Sequence, residues 1–558
     1  MLQDKSRILV GWILALGTGA VTLLVAPYSS FDPVNIPKMS LLAILAFTTG
    51  AILVLNIASI KKAAARVPML LIGALILDLV IVLIASPSNK IEQFYGIAGR
   101  NTGLLTYSSL CLLMAAAILF ADRQLIFLFT KMALFTGFVL TLYGLIQSFG
   151  KDFFPWISAY ANPVIGTFGN PDFQSAFMGM FATLCFGLAL SRDSKVFFRI
   201  IYLLTFLLAT FVAYKTDALQ GLVCLLVGVS FILILRSFSQ NRKFMTIGLL
   251  ATGTLSSVVL LFALFNIGPL ANVLYKTSVT ARGFYWSAAL EMVKSQPFLG
   301  VGLDGYGDWI RRSRSISAIE FNPGLLSNVA HNVYLDLAAN GGIPLILLYF
   351  AILSIVLKSI YVVCRRPTSC DGKFIALSGC WVAYQAQAFV SINQIGLAIW
   401  GWVLSGIIIG YEINTRQNFP AGKVIENRES QRLSKVWATQ LLSASALGGL
   451  VGSLVGLPPY IAASKYYDSF RTSDVRIIGA AALNHPQDRA RLIQTAQLFE
   501  SKGFNQDAIR LARLAATRYP DSSEAWQQIA SFKESSMQEK LRAELELKRL
   551  DPLNPKLK

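Results

Sequence analysis

The sequence predicts an all-α, polytopic membrane protein of about 12–13 transmembrane helices with a small α-helical repeat tail. Three observations predict it. Of 558 residues, 54% are hydrophobic and only 14% charged, with a mean hydropathy of +0.57, too apolar for a set of soluble domains. Apolar runs of about 20 residues recur, the length a helix needs to cross a hydrocarbon core about 30 Å thick. Beyond about Lys465 the chain turns polar and repeats itself: Pro486 and Pro520, Leu492 and Trp526, and Ala496 and Ala530 are each 34 residues apart, the period of a tetratricopeptide helix pair.

In chain order, spans are expected near 8–26, 40–58, 68–86, 103–120, 125–149, 172–190, 196–214, 217–235 and 244–267, then near 343–363, 374–391, 393–410 and 438–462. The first follows Lys5 and Arg7 like a signal peptide. A multispan body follows and no small-residue cleavage site precedes Tyr28, so it reads as an uncleaved span. The domains expected are an N-terminal bundle (1–267), a large extracytoplasmic loop (268–336), spans ten to twelve (337–410), a cytoplasmic linker (411–435), span thirteen (436–462) and a repeat tail (463–558).

A net charge of +19 raises the question of nucleic acid, but the basic residues are spread over alternate loops, where they set topology. With a cytoplasmic N-terminus, the inside loops carry Lys61, Lys62, Arg123, Arg199, Arg242, Arg366, Lys373, Lys423 and more. The short outside loops carry far fewer: Lys38, Lys90, Arg100, Lys151 and Lys215. That asymmetry puts the long loop and the tail outside, and no nucleic-acid partner is expected. The six cysteines fall in spans or on the inside. With two histidines and no Cys-x-x-Cys pair, neither a metal nor another cofactor is expected.

Chemistry concentrates in the long loop. His331 is the only imidazole in the apolar body; the other, His485, is in the tail. It opens a helical pattern with Leu335 and Ala338 on its face, before Asn340, Gly341, Gly342 and Pro344 break the chain. A helix N-terminus disfavours the imidazolium, leaving a neutral ring able to accept a proton. Upstream, TARGFYWSAALEMVKSQP reads as a helix with Arg282 one turn before Trp286. Two readings stand for Arg282: a fork onto phosphate oxygens, or snorkelling at the interface. In FLGVGLDGYGDWIRRSRS, Asp304 and Asp308 read as turn formers. Arg311, Arg312 and Arg314 read as a solvated run or an anion-attracting patch. The tail is either a docking surface for a protein partner or a lid packed on the membrane body.

AHNVYLDLAANGGIPLILLY resembles the signature of the bacterial O-antigen ligase and polymerase superfamily, as do GTFGNPDFQSAFM, ARGFYWSAALEMVKSQPFLGVGLDGYG and FDPVNIPK. The resemblance covers about residues 8–410. It implies a C-type glycosyltransferase-like fold in the bacterial inner membrane, with the donor glycan carried on undecaprenyl pyrophosphate. The acceptor would be a lipid, a polysaccharide or a protein, and membrane lipids would surround the site. It implies catalytic roles for His331 and Arg282, with Asn332 and Trp286 supporting the motif. A further family arginine has no counterpart here, Gln220 standing before Gly221 instead. Arg100, Lys215, Gln220, Asn170 and Arg311 are therefore the candidates for the donor pyrophosphate. Ligase, polymerase and protein O-oligosaccharyltransferase remain alternatives within the class. Outside it stand an envelope scaffold and a secondary transporter, for which Asp78 and Lys131 are the intramembrane ionisable residues; a pair between them across helices is the structural alternative.

Overall fold

The structure, a computed structural model, describes residues 2–56, 63–154, 156, 164–264, 267–268, 277–366, 369–416 and 428–557. Lys61, Lys62 and Lys423 lie outside the described residues. Every regular element described is a helix: α1 (Leu2–Leu23), α2 (Asn35–Leu55), α3 (Ala63–Ala85), α4 (Lys90–Tyr95), α5 (Leu104–Phe120), α6 (Arg123–Ser148), α7 (Pro171–Ala189), α8 (Val196–Lys215), α9 (Leu219–Ser239) and α10 (Lys243–Leu264). The long loop holds α11 (Thr277–Ser295), α12 (Tyr306–Ser313) and α13 (Ile316–Phe321). Then follow α14 (Val333–Cys364), α15 (Gly372–Val390), α16 (Ile395–Asn414) and α17 (Arg428–Gly456). The tail comprises α18 (Pro458–Ser469), α19 (Val475–Ala482), α20 (Arg489–Ser501), α21 (Asn505–Arg518), α22 (Ser523–Ser531) and α23 (Met537–Leu550).

Among the described residues, nine helices are long and apolar enough to cross a membrane: α1, α2, α3, α6, α8, α9, α14, α16 and α17. The protein is a polytopic, all-α membrane protein. At the centre, α16 is buried along its whole length and α5 lies against it. Gly406 and Gly410 permit this, since a Cβ at either would sit 2.4 or 2.5 Å from a carbonyl oxygen of α5. Small residues at such contacts let backbones approach where lipid gives no hydrophobic drive. The same device seats α17 on α2, through Gly448, Gly452 and Gly456 at four-residue spacing. Helix starts are capped as the sequence allows: Asp122 caps α6, Asn170 α7, Asp371 α15 and Gln394 α16.

Two readings of charged residues are corrected. Lys38, read as an outside-loop charge, is fully buried in α2, where its ammonium donates to the Thr22 carbonyl and lies over the Phe168 ring. Asp78 and Lys131 do not pair. Lys131 lies over Phe127 one turn back on its own helix, and the Asp78 Oδ2 has no hydrogen-bond partner among the described residues. The Cys364 and Cys370 sulfurs, given no mutual role by the sequence, are 3.0 Å apart.

The 34-residue period falls on two helix pairs, α20 with α21 and α22 with α23, whose apolar faces share one core of Leu492, Ala496, Phe499, Ala512, Trp526 and Leu547. α19 covers the open end of this core with Ile478 and Ala481 against Tyr466. The tail packs on the membrane body. Phe31 sits edge-on among Tyr466, Tyr467 and Phe470. Arg314 makes a two-pronged bond to Asp551 at 2.8 and 3.0 Å, both side chains under 5% exposed. Arg312 pairs with Asp521 at 2.8 Å, and Arg489 bridges Glu92 and Asp308. These contacts hold the tail on the same side of the body as the long loop.

Candidate functional site

The site is built on a broken helix. α14 is interrupted at Gly342, whose φ of 76° and ψ of −175° are non-helical. Only glycine suits this position, because a Cβ would also meet the Phe298 carbonyl carbon at 2.6 Å. The groups freed by the break go to the turn after α11: the Ile343 amide donates to the Pro297 carbonyl at 2.7 Å, and the Val301 amide to the Ala339 carbonyl at 2.8 Å. The Tyr306 amide donates to the Asn340 Oδ1 at 3.0 Å. The stretch PFLGVGLDGY and the sequence AANGG are therefore two halves of one clasp, which locks α11 against the first leg of α14.

At the head of that leg, Asn332 is the cap, its side chain accepting from the Tyr334 and Leu335 amides. His331 lies one residue earlier, outside the helix, with a left-handed φ of 52°. The expected helix start is thus occupied by Asn332, and the imidazole is turned out to stack on Tyr285 of α11, ring centres 5.5 Å apart. Tyr285 is itself held, its carbonyl accepting from the Tyr306 hydroxyl at 2.8 Å. Burial, reinforced by the Arg100 and Arg282 guanidiniums, pushes the His331 pKa down from 6.5 to about 3. The ring is neutral at physiological pH, and no side chain among the described residues hydrogen-bonds to it.

Arg100 reaches this centre from a different part of the chain. The turn 96–102 follows α4 and starts at Gly96, where φ is 84° and a Cβ would lie 2.4 Å from the Thr102 amide nitrogen. Asp304 fastens the turn: its carboxylate accepts from the Ile97 amide at 2.8 Å, the Thr102 hydroxyl at 2.8 Å and the Thr102 amide at 3.4 Å. Burial raises the Asp304 carboxyl and lowers Arg100, while Asp304, Asp336 and Asp32 oppose the drop at Arg100. No carboxylate lies within 4 Å of the Arg100 guanidinium among the described residues.

Arg282 faces the start of α7. Its guanidinium is 3.8 Å from the Asp172 carboxylate, a loose pair for groups of this reach. Asn170 caps the same helix, accepting from the Asp172 amide at 2.8 Å. The GNPD sequence thus sets a helix N-terminus beside Arg282. One turn further along α7, the Ser175 hydroxyl accepts from the Gly221 amide at 3.1 Å, bringing the start of α9 alongside. The adjoining Gln220 is buried, and neither atom of its amide has a hydrogen-bond partner among the described residues. Trp286 packs edge-on against Phe389 of α15, its indole nitrogen buried and unpartnered.

Two expected anion contacts go elsewhere. Arg311 reaches Glu524 at 3.5 Å and Asp551 at 4.0 Å in the tail. Lys215, at the exposed end of α8, lies over Phe211 of its own helix. The sequence passed over Asp304, Asp172 and Tyr285. Asp304 looked like a turn former and is one, with φ of 57°; its partners are some 200 residues away, where no local pattern points. No cluster of three metal-ligating side chains occurs among the described residues.

No curated protein matches this sequence. Residues 201–350, which carry Gln220, Arg282, the clasp and His331, match the family model described as O-Antigen ligase. Over this segment the chain is similar to the O-antigen ligase family.

Proposed function

We propose that the protein transfers a glycan from a polyprenyl pyrophosphate, such as undecaprenyl pyrophosphate, to an acceptor hydroxyl at the outer face of the bacterial inner membrane. The observation that carries this reading is the meeting of a neutral His331 with two weakly engaged guanidiniums, Arg100 and Arg282, beside the start of α7. Two cations around an uncharged acceptor of protons suit a reaction whose leaving group is a pyrophosphate. The pairing of the tail with the long loop supports an extracytoplasmic tail.

The donor pyrophosphate lies between Arg282 and Arg100, with the Gln220 amide and the α7 start at Asn170 as further donors of hydrogen bonds. The acceptor oxygen forms its new bond to the anomeric carbon as the bond from that carbon to the phosphate oxygen breaks. The acceptor proton passes to His331, and the pyrophosphate leaves with the electron pair, its charge held by the guanidiniums. Approach opposite the leaving group inverts the anomeric centre. A histidine held near pKa 3 is a weak base, so the order of binding matters. The donor's negative charge offsets the field of Arg100 and Arg282 and returns part of the ring's basicity, while the larger depression from burial remains.

The test is transfer by purified protein in nanodiscs, with a lipid-linked glycan as donor and lipid, sugar and peptide acceptors offered together. Product identified by mass spectrometry separates ligase, polymerase and protein glycosylation. Wild-type rates from His331→Ala protein would sink the assignment.

A further inference from the structure

α7 and α9 both start beside the reaction centre, at Asn170 and Gln220, and both end at a corner that gathers four arginines. α7 is 19 residues long, which at the rise of a helix puts this corner about 28 Å away, at the opposite face of the membrane. There the Arg199 Nε of α8 donates to the Ala189 carbonyl at 2.9 Å, and the Arg236 Nη1 of α9 donates to the next carbonyl, Leu190. Arg192 follows two residues later, in the turn into α8. Arg242 is folded back on the end of α9 in the turn into α10, its amide donating to the Ser237 carbonyl at 3.0 Å. Arg236 thus stands within electrostatic reach of Arg192, Arg199 and Arg242. Among the described residues no ion pair is made by any of the four. Asp193 is the only acidic residue in 189–199 and 236–243, and its carboxylate accepts from the Ser191 hydroxyl at 3.4 Å and the Gly372 amide at 3.5 Å instead. Basic loops orient a membrane protein by the number of their charges. Orientation does not require those charges to converge, and like charges brought together repel.

The geometry points to a binding site for the phosphate of an anionic phospholipid at this corner, on the membrane face opposite the reaction centre and separate from the glycan donor. A guanidinium takes phosphate oxygens in pairs. Arg199 and Arg236 each give one N–H to the end of α7 and keep the others, while Arg192 and Arg242 are exposed in their turns. The surroundings select a lipid over a soluble anion. Phe197 and Phe198 in the first turn of α8, and Phe244 and Met245 in the first turn of α10, are exposed beside the charges. A head group seated on the arginines lays its acyl chains over these side chains, whereas a free phosphate leaves them uncovered. Basic corners between membrane helices at head-group level recognise anionic lipids in this way. The bound lipid ties together the ends of α7, α8, α9 and α10. It thereby steadies the helix that precedes α11, the carrier of Arg282.

The test is lipid binding by the delipidated full chain, counted by native mass spectrometry during titration with phosphatidylglycerol. Phosphatidylethanolamine is the zwitterionic control, and pyrophosphate is the soluble anion. The variants are Arg192→Gln with Arg242→Gln, which spares the two arginines bonded to α7, and Arg192→Lys with Arg242→Lys, which keeps the charge that sets topology. Expected are saturable phosphatidylglycerol binding to wild type and a loss of at least about ten-fold in the glutamine variant, the worth of two basic residues at a lipid surface. The lysine variant should also bind more weakly than wild type, because an ammonium lacks the fork. Equal affinity for phosphatidylglycerol and phosphatidylethanolamine, or unchanged phosphatidylglycerol affinity in the glutamine variant, overturns the site. Wild-type affinity in the lysine variant overturns the guanidinium recognition and leaves the arginines to topology. Pyrophosphate bound more tightly than phosphatidylglycerol at these residues overturns the lipid as the source of the phosphate.

Discussion

The reaction centre and the tail interface use the same side chain to opposite ends. At the interface, Arg314, Arg312 and Arg489 each meet carboxylates at hydrogen-bonding distance. At the centre, Arg282 has only a loose contact with Asp172, and Arg100 no carboxylate within 4 Å among the described residues. An arginine with its fork filled is structure, whereas one with its fork open beside a neutral histidine is ready for an anion. Sequence does not separate them, since nothing in the local pattern around any of the five tells which carboxylates meet it.

The comparison breaks most directly by removing charge or base at the centre. His331→Ala and Arg282→Ala should each lower kcat by about 10²–10⁴-fold with the tail still docked, read by transfer rate and by protection of the tail from protease. Loss of docking along with activity would mean that the two regions are not separate. At the interface, Asp551→Ala leaves Arg314 buried and unpaired and should cost about 3–5 kcal/mol, seen as early release of the tail on heating. Restoring a matched apolar pair with Arg314→Met and Asp551→Leu should recover most of that. Gly342→Ala strains a left-handed position and crowds Phe298, for a cost of about 1–3 kcal/mol in thermal unfolding, and should lower transfer by loosening the clasp under His331.

A pH series sharpens the contrast further. The folded His331 value is depressed below the ordinary 6.5 by burial and by two cations. In the folded protein the ring therefore stays neutral until pH approaches about 3, whereas the unfolded chain takes up the proton near 6.5, so stability falls progressively as pH drops from 6.5 towards about 3. Donor-free protein should show the imidazole unprotonated through pH 5 by nitrogen chemical shift, in a His485→Asn background that leaves one ring to observe. Arg100→Gln removes one of those cations and should move the titration upward. A titration near 6.5 in both proteins would refute the depressed value. The smallest effects belong to Arg311→Ala and Lys215→Ala. Arg311 faces the half-exposed Glu524, a pair worth less than about 1 kcal/mol, and Lys215 lies over Phe211 of its own helix. Both should transfer glycan within a few-fold of wild type; a large loss in either would return it to the donor site.

Much was legible before any coordinates. Hydrophobic length marked helices, because a helix must satisfy its own backbone in lipid; of the thirteen expected spans, nine helices among the described residues are long and apolar enough to cross, and the last run is split at Leu457 between two helices. The glycines and proline after His331 announced a break, since few other residues tolerate one, and the break is at Gly342. The 34-residue spacing announced paired helices in the tail, because repeated burial needs repeated residues. What the chain pattern did not carry was partnership across distance. Lys38 looked like a loop charge because its cover, Thr22 and Phe168, comes from other segments. Asp304 looked local, although it fastens the Arg100 turn. The sequence by itself determined which stretches are helical, where they break and which residues can do proton and anion chemistry, all consequences of local length and composition. Only the tertiary structure decided which arginines are occupied and which are open, because that depends on where carboxylates 200 residues away come to rest.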